Sequence, residues 1–202
     1  MGGKTTTGHI GLLWAIVFLM VGLTLVVHLF APYADTLEFL IRGTALLAYQ
    51  LVFLAIVMSA FVKHLRRIFG RSFLALHHIV TIAGLGLMVL HGVGVAVRAG
   101  SAAVFVPVLS PWEALWRLGG RPALYLFLVA ALAAVFHRRI GNVWRVLHGL
   151  AYAAFLFATV HGILIGTSFQ FAVVRGVALA MLAAVAGVFV QRRFAQARRN
   201  RS

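Results

Sequence analysis

Two stretches decide how this sequence is interpreted: LHHIVTIAGLGLMVLHG, residues 76–92, and RVLHGLAYAAFLFATVHG, residues 145–162. Both are apolar enough to be membrane spans, and each carries a histidine near either end. An imidazole inside hydrocarbon is costly and is retained mainly where it has a partner. The four histidines therefore predict a shared ligand, and haem iron is the first candidate: His77, His91, His148 and His161.

The composition is typical of a polytopic membrane protein. The chain has 202 residues, of which 63% are hydrophobic and 10% charged, and its mean hydropathy is +1.03. A membrane-spanning helix needs about 20 apolar residues, and six segments meet or approach that length, near residues 10–30, 39–62, 74–97, 122–137, 146–166 and 171–190. We predict an all-α integral membrane protein, a six-helix bundle that forms one domain over residues 1–202, with its first span retained.

The formal net charge of +15 is unevenly distributed along the chain. Most basic residues lie in the segments 63–71 and 138–145 and in the tail 191–202, whereas the acidic residues lie in the other loops. The positive-inside rule then predicts that both termini and the basic tail are cytoplasmic. Topology explains the charge, so nucleic acid is not expected as a partner.

The absence of cysteine excludes disulfides, thiolate chemistry and iron–sulfur clusters. No glycine-rich phosphate loop and no strand–turn–helix pattern follows Val190. We therefore expect any flavin or nicotinamide donor to be a separate protein.

The predicted topology arranges the four histidines in two layers. Spans three and five run in the same direction, so His77 and His148 fall near the inner surface, and His91 and His161 near the outer one. The separation within each span corresponds to about 20 Å of helical rise. Equal rise predicts two haems b between helices three and five, each ligated by one imidazole from either helix.

Helical periodicity fits one span better than the other. His77 and His91 are fourteen residues apart, and at about 100° per residue His91 returns to within about 40° of the face that carries His77. His148 and His161 are thirteen residues apart, so their directions differ by about 140°. A local change of winding in span five, or a rotated approach of the side chains, could bring His148 and His161 to one face. A single haem remains an alternative to two. His78 remains a rival of His77, although its spacing to His91 places it on another face.

Haem propionates need cationic partners at the membrane surfaces. Arg71 and Arg145 are the candidates inside, and Arg42 and Arg98 outside, although topology alone also accounts for each. The other histidines are interpreted as interfacial because they lie at predicted span ends, where water is available: His9, His28, His64 and His137.

The two histidine stretches resemble the ferric reductase-like transmembrane domain. Residues 76–92 resemble its signature of two histidines separated by thirteen residues, and residues 145–162 resemble its second ligand helix. This superfamily includes NADPH oxidases, STEAP reductases and the haem-binding membrane subunit of the bacterial methionine sulfoxide reductase system. The stretch RGTAL at 42–46 and the segment 121–148 look most similar to that last, stand-alone branch.

The resemblance implies that His77 pairs with His148 on an inner haem b and His91 with His161 on an outer one. It implies a bacterial inner-membrane protein that takes electrons from a cytoplasmic flavin reductase, with the flavin held by that partner. The electrons would pass to an extracytoplasmic acceptor or periplasmic enzyme. Two functions of other classes remain open: a proton channel or small-ion transporter with a histidine relay, and a membrane anchor for a partner.

Overall fold

A computed structural model describes residues 3–62 and 73–199 of the chain. We number the six main helices α1 to α6 in chain order: Gly3–Phe30, Thr36–Ala60, Phe73–Ala99, Gly120–Val135, Leu150–Ile165 and Ala172–Arg199. Shorter helices cover Trp112–Arg117, His137–Ile140 and Val143–His148, and 3-10 turns cover Ala102–Phe105 and Thr167–Gln170. All regular elements within the described ranges are helical, which confirms the predicted all-α class.

Four helical segments are long and apolar enough to cross a membrane: Thr36–Ala60, Phe73–Ala99, Val143–Ile165 and Ala172–Ala195. Two further apolar stretches, Trp14–Phe30 and Gly120–Val135, are shorter than a full span. The second of these is the segment that the sequence also predicts to be the shortest. Many large apolar side chains on the outside of the bundle are exposed, as expected where a protein contacts lipid.

Helix α2 is the most buried helix of the bundle. It packs most extensively against α3 and also contacts α1, α5 and α6, while α4 packs mainly against α5. Phe53, Phe155 and Met181 are among the largest fully buried side chains of the core that these helices share. The apolar interior thus lies between α2, α5 and α6.

Helix α3 has little protein around it on any side except that of α2. Only Phe73 and Gly84 of its residues are buried. Gly84 permits the close approach of the two helices, since a Cβ there would lie 3.2 Å from Cβ of Leu51. The helices α3 and α5 are not among the extensively packed pairs of the described chain. A gap therefore separates the two helices on which the candidate ligands lie.

The start of α2 is fixed by an N-terminal cap. The Asp35 carboxylate accepts a hydrogen bond from the backbone N–H of Glu38 at 2.7 Å, while the Glu38 carboxylate accepts one from the N–H of Ala34 at 3.0 Å. Arg98, in the last turn of α3, donates to both oxygens of Asp35 at 2.6 and 2.7 Å. Asp35 therefore ties the start of α2 to the end of α3.

The contacts of Asp35 with Glu38 and Arg98 make the stability of the fold depend on pH. The hydrogen bond from the N–H of Glu38, followed by the contact with Arg98, lowers the pKa of Asp35 below its ordinary value of 3.8. A carboxyl group whose pKa is lower in the folded state stabilises the fold above its unfolded pKa, and this stabilisation is lost as the pH falls below that value.

The substitution D35N tests this contribution, since asparagine caps helices about as well as aspartate but carries no charge. We expect D35N to be less stable than the parent at pH 6, and this difference to shrink as the pH falls through the lowered pKa of Asp35. Thermal unfolding of both proteins between pH 2.5 and 6 checks this, and a difference independent of pH would contradict it.

The interpretation of His28 as a water-exposed interfacial residue is wrong. Its side chain is only 5% exposed, and its ring stacks on Phe39 with the centroids 4.7 Å apart. The hydroxyl of Tyr33 bonds to both Nδ1 and the carbonyl oxygen of His28. Gly43 allows this packing, because a Cβ there would lie 2.8 Å from Nε2 of His28.

Candidate functional site

A cavity of about 220 Å³ lies between α2, α3, α4 and α5. Its walls are mainly aliphatic and aromatic, and four polar side chains line it: Tyr49, His91, Arg121 and His161. The hydroxyl of Tyr49 is already bound, at 2.9 Å from Oγ1 of Thr159. The two imidazoles and the guanidinium therefore define the chemistry of the cavity.

Each imidazole of the cavity is fixed through Nδ1. Nδ1 of His91 lies 3.0 Å from the carbonyl oxygen of Ile41 on α2. Nδ1 of His161 lies 2.7 Å from the carbonyl oxygen of Arg117, the last residue of its short helix. Helix ends leave carbonyls without intrahelical partners, which explains why Arg117 is free to accept.

These two hydrogen bonds determine the tautomer of each ring. A carbonyl oxygen only accepts, so Nδ1 must carry the proton in both histidines. Nε2 of a neutral ring then keeps its lone pair. A metal-binding histidine has this arrangement, in which a backbone carbonyl holds one ring nitrogen and the other faces the metal. His91 and His161 are thus both prepared to act as ligands through Nε2.

Gly120 contributes to the position of the His161 ring. A Cβ at this residue would lie 2.9 Å from both Nε2 and Cδ2 of His161. The first turn of α4 therefore lies against the edge of the imidazole that carries the free nitrogen. A side chain at position 120 would force the ring to move.

His77 and His148 lie together at the opposite end of the bundle, close enough to interact electrostatically. Nδ1 of His148 lies 2.9 Å from the carbonyl oxygen of Ala130 on α4, the same type of contact that holds the cavity histidines. Nδ1 of His77 is buried near the carbonyl of Ala55 without a hydrogen bond of normal geometry. The neighbouring His78 is exposed. The pairing of the four histidines on two haems stays a prediction.

The helix that carries His148 and His161 is interrupted between them. The short helix Val143–His148 ends at His148, and α5 begins at Leu150. Across Gly149, the N–H of Tyr152 donates to the carbonyl of Gly149 at 3.1 Å, a bond to the third preceding residue. Such bonds wind the chain more tightly than an α-helix. The winding of the chain therefore tightens at Gly149, between His148 and His161.

Arg42 does not line the cavity, and its guanidinium is bound within the protein. It is 7% exposed, and its Nε donates to Oγ of Ser168 at 3.0 Å. Its Nη1 donates to the carbonyl of Pro32 at 3.0 Å and to Glu38 at 3.3 Å, and the group lies 4.4 Å from the centroid of the Tyr33 ring. The contacts of Arg42 are those of a residue that joins distant segments of the chain. Its role as a partner of a haem propionate stays a prediction.

The other predicted cations lie away from the cavity or outside the described residues. Arg98 is bound to Asp35 as described above. Arg145 donates to Oδ1 of Asn142 at 2.7 Å. Arg71 lies in the segment 63–72, outside the described residues.

The sequence did not single out Arg121, although it is the cation that lines the cavity. It follows the pair Gly119–Gly120 at the start of α4 and lies near His161. The position of an arginine at the very start of an apolar segment, directly after two glycines, is the signal that could have identified it. Tyr49 and Phe105 also line the cavity, and no local pattern marks either.

The described residues contain no group of three or more histidine, aspartate or glutamate side chains that could hold a metal ion. Each histidine pair supplies only two ligands. A metal held by such a pair needs its remaining ligands from another molecule. A flat macrocycle provides the equatorial ligands and leaves two axial positions, which a pair of imidazoles can fill.

Comparisons of the chain with protein-family models, with curated proteins and with solved structures find no match. What the chain does is therefore inferred from the chemistry of the two histidine pairs.

Proposed function

We propose that the chain is a membrane cytochrome b with six spans, which conducts electrons through two haems b, each between a pair of histidines. The observation that carries this proposal is the cavity lined by His91 and His161, whose Nδ1 atoms are held by backbone carbonyls while Nε2 of each ring keeps its lone pair. The apolar walls suit a porphyrin, and Arg121 suits an acidic group at its edge. The residues present thus fit haem.

The protein side chains have distinct roles in this proposal. His91 and His161 hold one haem, and His77 and His148 hold the other. Haem held in this way would supply one-electron chemistry between its ferric and ferrous states. The hydrogen bonds from Nδ1 to Ile41, Arg117 and Ala130 orient the rings and raise their basicity.

The charge distribution of the sequence orients the chain in the membrane, and the direction of electron flow is the one that the ferric reductase-like resemblance implies. Both termini and the His77–His148 pair face the cytoplasm of a bacterial inner membrane in this proposal, and the His91–His161 pair faces outward. A separate cytoplasmic flavin reductase delivers electrons, and an extracytoplasmic acceptor or periplasmic enzyme receives them. The ferric reductase-like resemblance supports this assignment, and the stand-alone branch is the one we propose.

The spectrum of the purified protein tests the proposal. We expect two haems per chain by pigment extraction and sharp low-spin b-type bands in the reduced-minus-oxidised difference spectrum. Protein produced with added haem precursor and purified in mild detergent is suitable for both measurements. A folded protein that carries no pigment would overturn the proposal and favour a histidine relay or a membrane anchor.

A further inference from the structure

The segment that follows α3 crosses the mouth of the cavity. We call residues 101–106 the strap. Its start is fixed to α3, because Gly100 adopts the left-handed conformation with φ of +61° and the N–H of Ser101 donates to the carbonyl of Ala96 at 3.1 Å. Only glycine adopts such a φ at little cost. The strap therefore turns directly back over the end of its own helix.

The other end of the strap is bound to α4. The hydroxyl of Tyr125 donates to the carbonyl of Phe105 at 2.8 Å, and Nη1 of Arg121 donates to the carbonyl of Val106 at 2.9 Å. Tyr125 and Arg121 lie four residues apart, on one face of α4. We call these two hydrogen bonds the latch. They join the strap, which follows α3, to α4.

Phe105 closes the cavity from above. Both it and Val104 line the cavity, and the ring of Phe105 rests on Gly92 of α3. A Cβ at position 92 would lie 2.9 Å from Cε1 of that ring. Gly92 directly follows His91, so the ring covers the approach to this candidate ligand.

The two hydrogen bonds of the latch can break and re-form. Its acceptors are backbone carbonyls, and its donors lie at the surface, with Tyr125 42% exposed. Water can replace either partner, so the bonds exchange at modest cost. The strap itself has no buried residue to hold it in place.

We propose that Tyr125 and Arg121 are positioning residues that hold Phe105 over the cavity, and thereby determine which molecules reach His91 and His161 from the aqueous side. Opening of the latch admits a bulky planar molecule, and closure leaves passage only to molecules small enough to pass the Phe105 ring. This inference rests on the proposed function in one respect, the assignment of His91 and His161 as cofactor ligands.

A single thiol inside the cavity measures access without any need for haem. The chain has no cysteine, so V95C carries one thiol on a side chain that lines the cavity one turn beyond His91. The rate of its modification by a bulky, water-soluble maleimide is measured in lipid vesicles. We expect Y125F to raise this rate about five-fold, R121Q by a similar factor, and the two together about 25-fold, since the opening equilibrium shifts by the value of each hydrogen bond.

Matched controls separate the latch from general loosening. Y152F removes a hydroxyl from a tyrosine that packs on Phe189, and R139Q removes an exposed guanidinium that lies 5.9 Å from the centroid of the Phe136 ring. Neither should change the rate at V95C. A thiol in the buried wall of α4, in A133C, should also remain unmodified in every variant. G92A, which pushes Phe105 away from α3, should raise the rate at V95C without touching the latch.

Two results would overturn the inference: equal rates at V95C in the latch variants and the controls, or an equal rise at A133C. The haem content, measured on the same samples, reports separately on the proposed function. If the protein carries no pigment but Y125F still raises the modification rate at V95C, the inference about the strap stands and the proposed haem function is overturned. If the protein carries haem but Y125F leaves the rate at V95C unchanged, the haem function stands and the inference about the strap is overturned.

Discussion

Replacement of His91 or His161 by alanine should remove about half of the bound haem. Each variant deletes one of the two imidazoles that line the cavity, and a haem at this site would be left with a single histidine to hold it. The pair at the other end is untouched, so one haem per chain should remain, with its low-spin bands intact. The double variant should not lose more than either single one, because both residues serve the same site.

The structure offers a matched control for this experiment. His137 is an exposed histidine whose Nδ1 lies 2.8 Å from the carbonyl of Ala134, the same backbone contact that holds the cavity histidines. H137A should therefore keep both haems. Electron transfer from reductant trapped in vesicles to an external ferric acceptor should stop in H91A and H161A and continue in H137A. Equal haem content in all three variants would contradict the assignment, and continued transfer would favour a membrane anchor.

The positions of the helices could be predicted from the sequence because each is a long apolar run. The segments 39–62 and 122–137 correspond to Thr36–Ala60 and Gly120–Val135, with differences of a few residues at the ends. The pairing of the histidines rests on helical rise and on parallel spans, and it stays a prediction. These are local properties, or consequences of alternating topology, and they do not depend on packing detail.

The wall of the cavity that α2 supplies could not be predicted. The carbonyl that holds His91 belongs to Ile41, fifty positions earlier in the chain, and nothing near either residue marks the contact. The propionate candidates Arg42 and Arg98 were chosen because they lie near predicted span ends. Their partners, Ser168 and Asp35, come from distant segments and became visible only when the helices were packed.

Replacement of Arg42 by methionine should cost the fold about 2–3 kcal/mol, which is several degrees of unfolding temperature for a chain of this size. Methionine retains the buried aliphatic stem but leaves Oγ of Ser168 and the carbonyl of Pro32 without their donor. A buried acceptor that loses its donor destabilises the fold by the full free energy of its desolvation. R98M removes a guanidinium of the same chemistry from an exposed pair, and surface pairs contribute little. The thermal midpoint of R42M in detergent should therefore fall well below that of R98M, and equal midpoints would contradict a structural role for Arg42.

Loss of Arg42 should also disturb the cavity, which R98M should leave unchanged. Ser168 precedes Phe169, which lines the cavity and whose ring rests on Gly162, where a Cβ would lie only 2.6 Å from Cζ. Gly162 directly follows His161, so the bond from Arg42 to Ser168 helps to hold the wall beside this ligand. We expect R42M to broaden or shift the bands of the haem between His91 and His161 even at temperatures where the protein is folded. R42K keeps the charge without the planar fork and should recover only part of both effects. An R42M spectrum identical to that of the parent would confine Arg42 to the stability of the fold.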